Sequence, residues 1–147
     1  MTAIPSYEEV LVPTDGSEAV TTSTAHALSV GDDSTRVHAL YVVDQRVTMS
    51  APANTREELQ ATLQEEGQAA VSSVADQVEG AGRQSSTAIR EGTPSKEILE
   101  YAQQEGIDLI VIGSSGKSPR EKVMTMGSVS ERVVDNATLP VLVVKDD

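Results

Sequence analysis

The run "IDLIVIG" at residues 107–113 is the most apolar stretch of the chain. Its length suits a strand. It lacks polar alternation, which predicts burial on both faces, as in the middle of a parallel sheet. On its amino side, "GTPSKEILEYAQQEG" (92–106) has the punctuation of a helix: Thr93 as N-cap, Pro94 at the first helical position and Gly106 as the stop. On its carboxyl side, Val129, Val133, Val134 and Ala137 recur at helical spacing, and "LPVLVVK" (139–145) reads as a last strand.

The same alternation runs back to the start. "EEVLVPTDG" (8–16) gives a first strand at about 8–14, ended by the turn signal Asp15-Gly16. "RVHALYVVD" (36–44) is a second strand, rich in β-branched residues. Between them lies a helix with Ser17 as N-cap and Ala19, Ser23, Ala27 and Val30 on its packing face. Residues 46–55 read as loop, and Thr55–Gly80 as a long helix. On that helix Leu59, Leu63, Val71, Val74 and Val78 form one stripe, with Gly67 a weak point. "QSSTAIRE" (84–91) is a more polar strand suited to a place near the sheet edge. The order βαβαβαβαβ predicts an α/β, single-domain three-layer sandwich over residues 1–147, with a five-stranded parallel sheet and four helices.

Composition narrows the function. The chain has 23 acidic and 11 basic residues, a net charge of −12, and its field repels nucleic-acid backbones. No apolar run approaches the roughly 20 residues of a membrane span. Without a secretory leader in "MTAIPSYEEV" and without cysteine, a cytoplasmic location is expected. There is no Phe or Trp, so the core is built from Val, Ile, Leu and Ala. Together with only four lysines, this acidity suggests a halophile-like protein whose self-repulsion needs salt to screen it.

In an open parallel sheet, ligands bind beyond the carboxyl ends of the strands, where strand order reverses. That rule selects "PTDGS" after the first strand, "VVD" ending the second and "GSSGKS" (113–118) after the fourth. Gly113 and Gly116 let the backbone approach a ligand, and Gly127-Ser128 opens a helix whose amino end favours anions. "GSSGKS" is not a Walker motif, because two residues rather than four precede its Gly-Lys-Ser and Pro119 follows at once. Ser128-Val129-Ser130-Glu131 also reads as a capping box, which leaves a plain helix start as the other reading. Lys117, Arg120 and Lys122 place three of the eleven basic residues within six positions, either local relief for a polyanion in a negative chain or an ordinary solvated loop. His26 and His38 read as structural histidines rather than catalytic bases.

"VLVPTDGSE", "LYVVD", "GIDLIVIGSSGKS", "GSVSERVV" and "LPVLVVK", in that order, resemble the universal stress protein family along nearly the whole chain. The resemblance implies an adenine nucleotide alpha hydrolase-like, Rossmann-like fold. It also implies a homodimer formed through the last strand (Val141, Leu142, Val143, Val144) and membership of the ATP-binding branch. That branch is marked by Gly, two residues, Gly, nine residues, then Gly-Ser or Gly-Thr. Here Gly113, Gly116 and Gly127-Ser128 fit, but the second interval is ten residues long. The nucleotide-binding set the resemblance implies is Pro13, Thr14, Asp15, Val42, Gly113, Ser115, Gly116, Lys117, Gly127, Ser128 and Val129. Within it, Asp15 meets the ribose or assists a metal, Val42 holds adenine through its backbone, and the glycine segments take the phosphates.

The expected ligand is ATP with Mg²⁺, the ion held mainly by phosphates and water, with AMP or ADP as alternatives. No side chain stands out as a base for hydrolysis. The expected role is therefore a non-catalytic, nucleotide-dependent regulatory dimer in a stress response, read by a protein partner. A universal-stress-type interaction protein without nucleotide, and a slow ATPase, are the other two readings.

Overall fold

The computed structural model describes residues 4–114 and 126–145. Its strands are β1 (Glu9–Pro13), β2 (Arg36–Asp44), β3 (Gln84–Gly92), β4 (Leu109–Gly113) and β5 (Val141–Val144). Its helices are α1 (Ala19–Val30), α2 (Gln45–Ser50), α3 (Ala53–Gly80), α4 (Pro94–Gln104) and α5 (Met126–Asn136). The five strands form one sheet in the order β3-β2-β1-β4-β5, parallel at every pairing.

Side chains alternate across the sheet and split the core in two. Val10, Val12, Val37, Ala39, Tyr41 and Val111 turn to the layer of α1 and α3, meeting Ala27, Ala70, Val71, Val74 and Val78. Leu11, Leu40, Ile110 and Ile112 turn to the layer of α4 and α5, meeting Ile98, Tyr101, Ala102, Val129 and Val133. The run 107–113 is therefore central and buried on both faces, as its sequence predicts. β3 lies at one edge, with the polar character expected of it, and β5 at the other.

Several local expectations are corrected. Residues 46–55 are not simply loop, because Gln45–Ser50 forms a helix, which brings the number among the described residues to five. Asp44 caps it, its Oδ1 accepting the Arg46 amide at 2.9 Å, while Arg56 donates to the carbonyls of Thr48, Met49 and Ala51 at its far end. α3 starts at Ala53 rather than Thr55, behind Pro52. Ser17 is not the cap of α1. That position falls to Glu18, already in helical conformation and without a side-chain cap, because Asp15 holds the Ser17 amide in a turn of its own. Thr93 is the N-cap of α4, yet its side chain makes no capping bond. At the other end Gly106 adopts φ +64° and the Ile107 amide returns to the Ala102 carbonyl at 2.9 Å, the expected glycine stop. Val30 and Val134, both read as packing residues, are exposed, at 40% and 47%. Val134 sits one helical step round from Val133, which takes the buried face.

Candidate nucleotide site at the strand switch

The chain leaves β1 toward β2 and β3 on one side and returns through α4 to β4 on the other. Strand order reverses between β1 and β4, and a cleft opens there beyond their carboxyl ends. It is open to solvent and is lined by Pro13, Asp15, Ser17, Ala19, Val20, Ser23 and Gly113.

The turn after β1 is tightly built. Thr14 is buried; its amide donates to the Leu40 carbonyl at 2.9 Å, and its Oγ1 accepts the Gly16 amide at 3.0 Å. Gly16 has φ +85°, a conformation that favours glycine. Asp15 Oδ1 accepts the Ser17 amide at 2.9 Å. Its other carboxylate oxygen, Oδ2, is buried and has no hydrogen-bond partner among the described residues. A carboxylate oxygen left so is short of a donor, and a cleft is where a ligand would bring one.

Thr14 to Leu40 is the last rung joining β1 to β2. Backbone groups of alternate residues point the same way along a strand, so the N–H and C=O of Val42 face the side from which β1 has already withdrawn. The Val42 side chain is half-buried and packs with the α4 layer, as an ordinary core residue would. Nearby, burial first, then the negative charges of Glu66 and Asp15, push the Tyr41 phenol above its ordinary value.

Gly113 ends β4 opposite Val144 and lines the cleft. Gly127, Ser128 and Val129 lie in the first turn of α5, where helical amides point out along the axis. Because α5 has begun by Met126, Ser128 is inside the helix rather than before it, and the capping-box reading is set aside. Ser130 instead donates its hydroxyl to the Gly127 carbonyl at 2.9 Å. Ser115, Gly116 and Lys117, with Arg120 and Lys122, lie outside the described residues.

The structure thus brings Pro13, Asp15 and Gly113 to one cleft, which the sequence assigned to the site. Ser17, Ala19, Val20 and Ser23 join them from the start of α1. Of these, Ser17 belongs to the selected "PTDGS" segment and was also read as a cap, Ala19 and Ser23 were read as packing positions, and Val20 was not singled out. The available signal was that a helix following β1 must pass over the switch point. His26 lies on the exposed side of α1, whereas His38 is buried within a hydrogen-bond pair. Among the described residues, no group of three or more His, Asp or Glu is arranged to hold a metal, and no helix is long and apolar enough to cross a membrane.

The model of the universal stress protein family matches residues 6–145. The chain belongs to that family. A universal stress protein of Methanocaldococcus jannaschii, MJ0531, is 40% identical over 95% of this chain and 82% of its own. Among solved structures, that of MJ0577, also of M. jannaschii, superposes with a TM-score of 0.84 at 33% identity, covering 97% of this chain and 99% of the other. Two more distant universal stress structures share the fold and hold nucleotides. One, in complex with cAMP, has a TM-score of 0.67 at 22% identity over 95% and 98% of the two chains. The other, from Arabidopsis thaliana with AMP bound, has a TM-score of 0.69 at 16% identity over 95% and 92%.

Proposed function

We propose that this universal stress protein binds an adenine nucleotide, ATP with Mg²⁺, in the cleft between β1 and β4, and serves as a cytoplasmic, nucleotide-dependent regulatory dimer rather than a catalyst. The observation that carries the reading is Asp15 Oδ2, buried and without a donor among the described residues at the strand switch. A ribose hydroxyl supplies a donor to that oxygen. The outward-facing N–H and C=O of Val42 present a donor and an acceptor side by side, the pair that an adenine edge can match. The first turn of α5, with Gly127 to Val129, offers an amino end suited to phosphate. In this reading Gly113 and the "SGK" that follows Ser114 complete the phosphate cradle. That the same fold holds cAMP and AMP in distant proteins agrees with the reading.

The test is titration with a fluorescent ATP analogue and Mg²⁺ on wild type, Asp15→Ala and Gly116→Val, folding matched by circular dichroism. Saturable binding by wild type, weakened about tenfold or more in both variants (about 1.4 kcal/mol), is the expected result. A wild type that neither binds nor co-purifies with nucleotide overturns it in favour of an interaction protein. Phosphate release above background, lost in Gly116→Val, would make the protein a slow ATPase.

The dimer is proposed through β5. Val141–Val144 is wholly apolar, pairs with β4 on one side, and lies at the sheet edge. An edge of this kind gains by pairing with a copy of itself across a two-fold axis.

A further inference from the structure

On the face of β2 covered by α4, a histidine interrupts a layer of aliphatic side chains. His38 is 4% exposed. Its Nε2 lies 2.7 Å from Glu9 Oε1 on β1, and its Nδ1 lies 2.7 Å from Tyr101 Oη on α4. The Glu9 carboxylate can only accept, so Nε2 carries the hydrogen of the neutral ring. Nδ1 is then an acceptor, and the Tyr101 hydroxyl donates to it. Burial, then the charge of Glu105, push the Tyr101 phenol above its ordinary value, so it keeps its proton. Three side chains therefore tie β1, β2 and α4 together through two hydrogen bonds whose directions are fixed.

We propose that Glu9, His38 and Tyr101 form a proton-responsive latch, which loosens α4 from the sheet when His38 becomes charged. The second proton must add at Nδ1, where the Tyr101 O–H already points. Two donors then face each other, and the phenol has to turn its hydrogen away, within a buried layer. The charges facing the ring decide which bond survives. From β1 comes Glu9, whose amide is in turn held by Asp108. Arg36 of β2 itself is occupied by Gln84, Ser85 and Ser86. Arg90 of β3 lies 5.0 Å over the Tyr101 ring, held by Gln104 at 2.6 Å, with Glu97 of α4 at 4.0 Å. Glu105 of α4 acts on the phenol, and α5 contributes the uncharged Val129 and Val133 to the layer. Glu9 is the carboxylate in direct contact with the ring, and its side chain is 35% exposed, which gives the proton a way in. Charging His38 therefore tightens its bond to β1 and reverses its bond to α4: Nδ1–H donates to the Tyr101 oxygen, and the buried phenol O–H loses the acceptor that held it.

Hydrogen–deuterium exchange of the α4 amides tests the latch, corrected for intrinsic rates and measured at about pH 7.5 and about pH 5.5. Wild type is expected to lose about tenfold or more of its protection at Ile98 and Ala102 on acidification. His38→Gln, which cannot charge, and Tyr101→Phe, which has no O–H to confront, are expected to show no such pH-dependent loss. The same acid-induced loss in wild type and His38→Gln would overturn the latch. Should the glutamine variant fail to fold, ¹⁵N spectra of the wild-type imidazole decide the matter. Nε2–H at neutral pH that gives way to a doubly protonated ring on acidification supports the latch; the opposite tautomer, or a ring that stays neutral, overturns it.

Discussion

A Cβ placed on Gly67 would stand 2.6 Å from Cδ1 of Tyr41, a buried ring with no free end to move aside. In an exposed helix, glycine to alanine gains up to about 1 kcal/mol. Here overpacking, typically about 1–3 kcal/mol, opposes that gain. Gly67→Ala is therefore expected to be less stable than wild type by about 1 kcal/mol in urea unfolding, and a stabilised variant would refute the contact. The sequence showed Gly67 only as a flaw in a helical stripe, because the residue that needs the space lies 26 positions away on a strand. That Asp15 lines the cleft was legible from its place at the end of a strand. The unequal fates of its two oxygens, one held by Ser17 and one without a donor among the described residues, were not, since they depend on how α1 closes over the turn. His38 was legible as a structural histidine, but not its partners, which come from β1 and α4.

At the scale of elements, strands and long helices were readable because their periods differ, whereas α2 was missed because its ends are secured from outside its own span. Asp44 holds one end and Arg56 the other. Burial opposes ionisation of Asp44. The hydrogen bonds from the Arg46 side chain and amide, then the Arg46 charge, outweigh burial and leave its pKa below the ordinary value. A lowered carboxylate pKa gives stability that is present above the unfolded value of about 3.9 and is lost as pH falls through the folded one. Asp44→Asn is therefore expected to melt lower than wild type at neutral pH, and the gap to close as pH drops below about 4. A gap that persists at pH 2 would show that charge plays no part in the cap. The last helix teaches a related lesson. The pattern Ser128-x-x-Glu131 is a sound cap signal, yet α5 starts earlier, so a motif located a helix without fixing its first turn.

For the whole molecule, the net charge of −12 is the dominant long-range term. Screening length falls from about 10 Å at 0.1 M salt to about 3 Å at 1 M, so the mutual repulsion of surface carboxylates should fade over that interval. The thermal midpoint is expected to rise by a few degrees between about 0.1 and about 1 M KCl, monitored by circular dichroism. A flat profile would mean that the acidity is not a stability burden at low salt. The architecture itself was legible because strand-length apolar runs alternate with amphipathic segments, and parallel strands joined by right-handed crossovers leave few other arrangements. The order of strands also gives the sheet two unlike margins. β3 presents Gln84, Ser85, Ser86 and Thr87 on one side, while β5 presents four aliphatic residues on the other. A sheet with a greasy rim and a wetted rim can grow in a single direction. In the dimer proposed above, both outer borders of the joined sheet would be polar, so growth would stop there and not run on into a fibre.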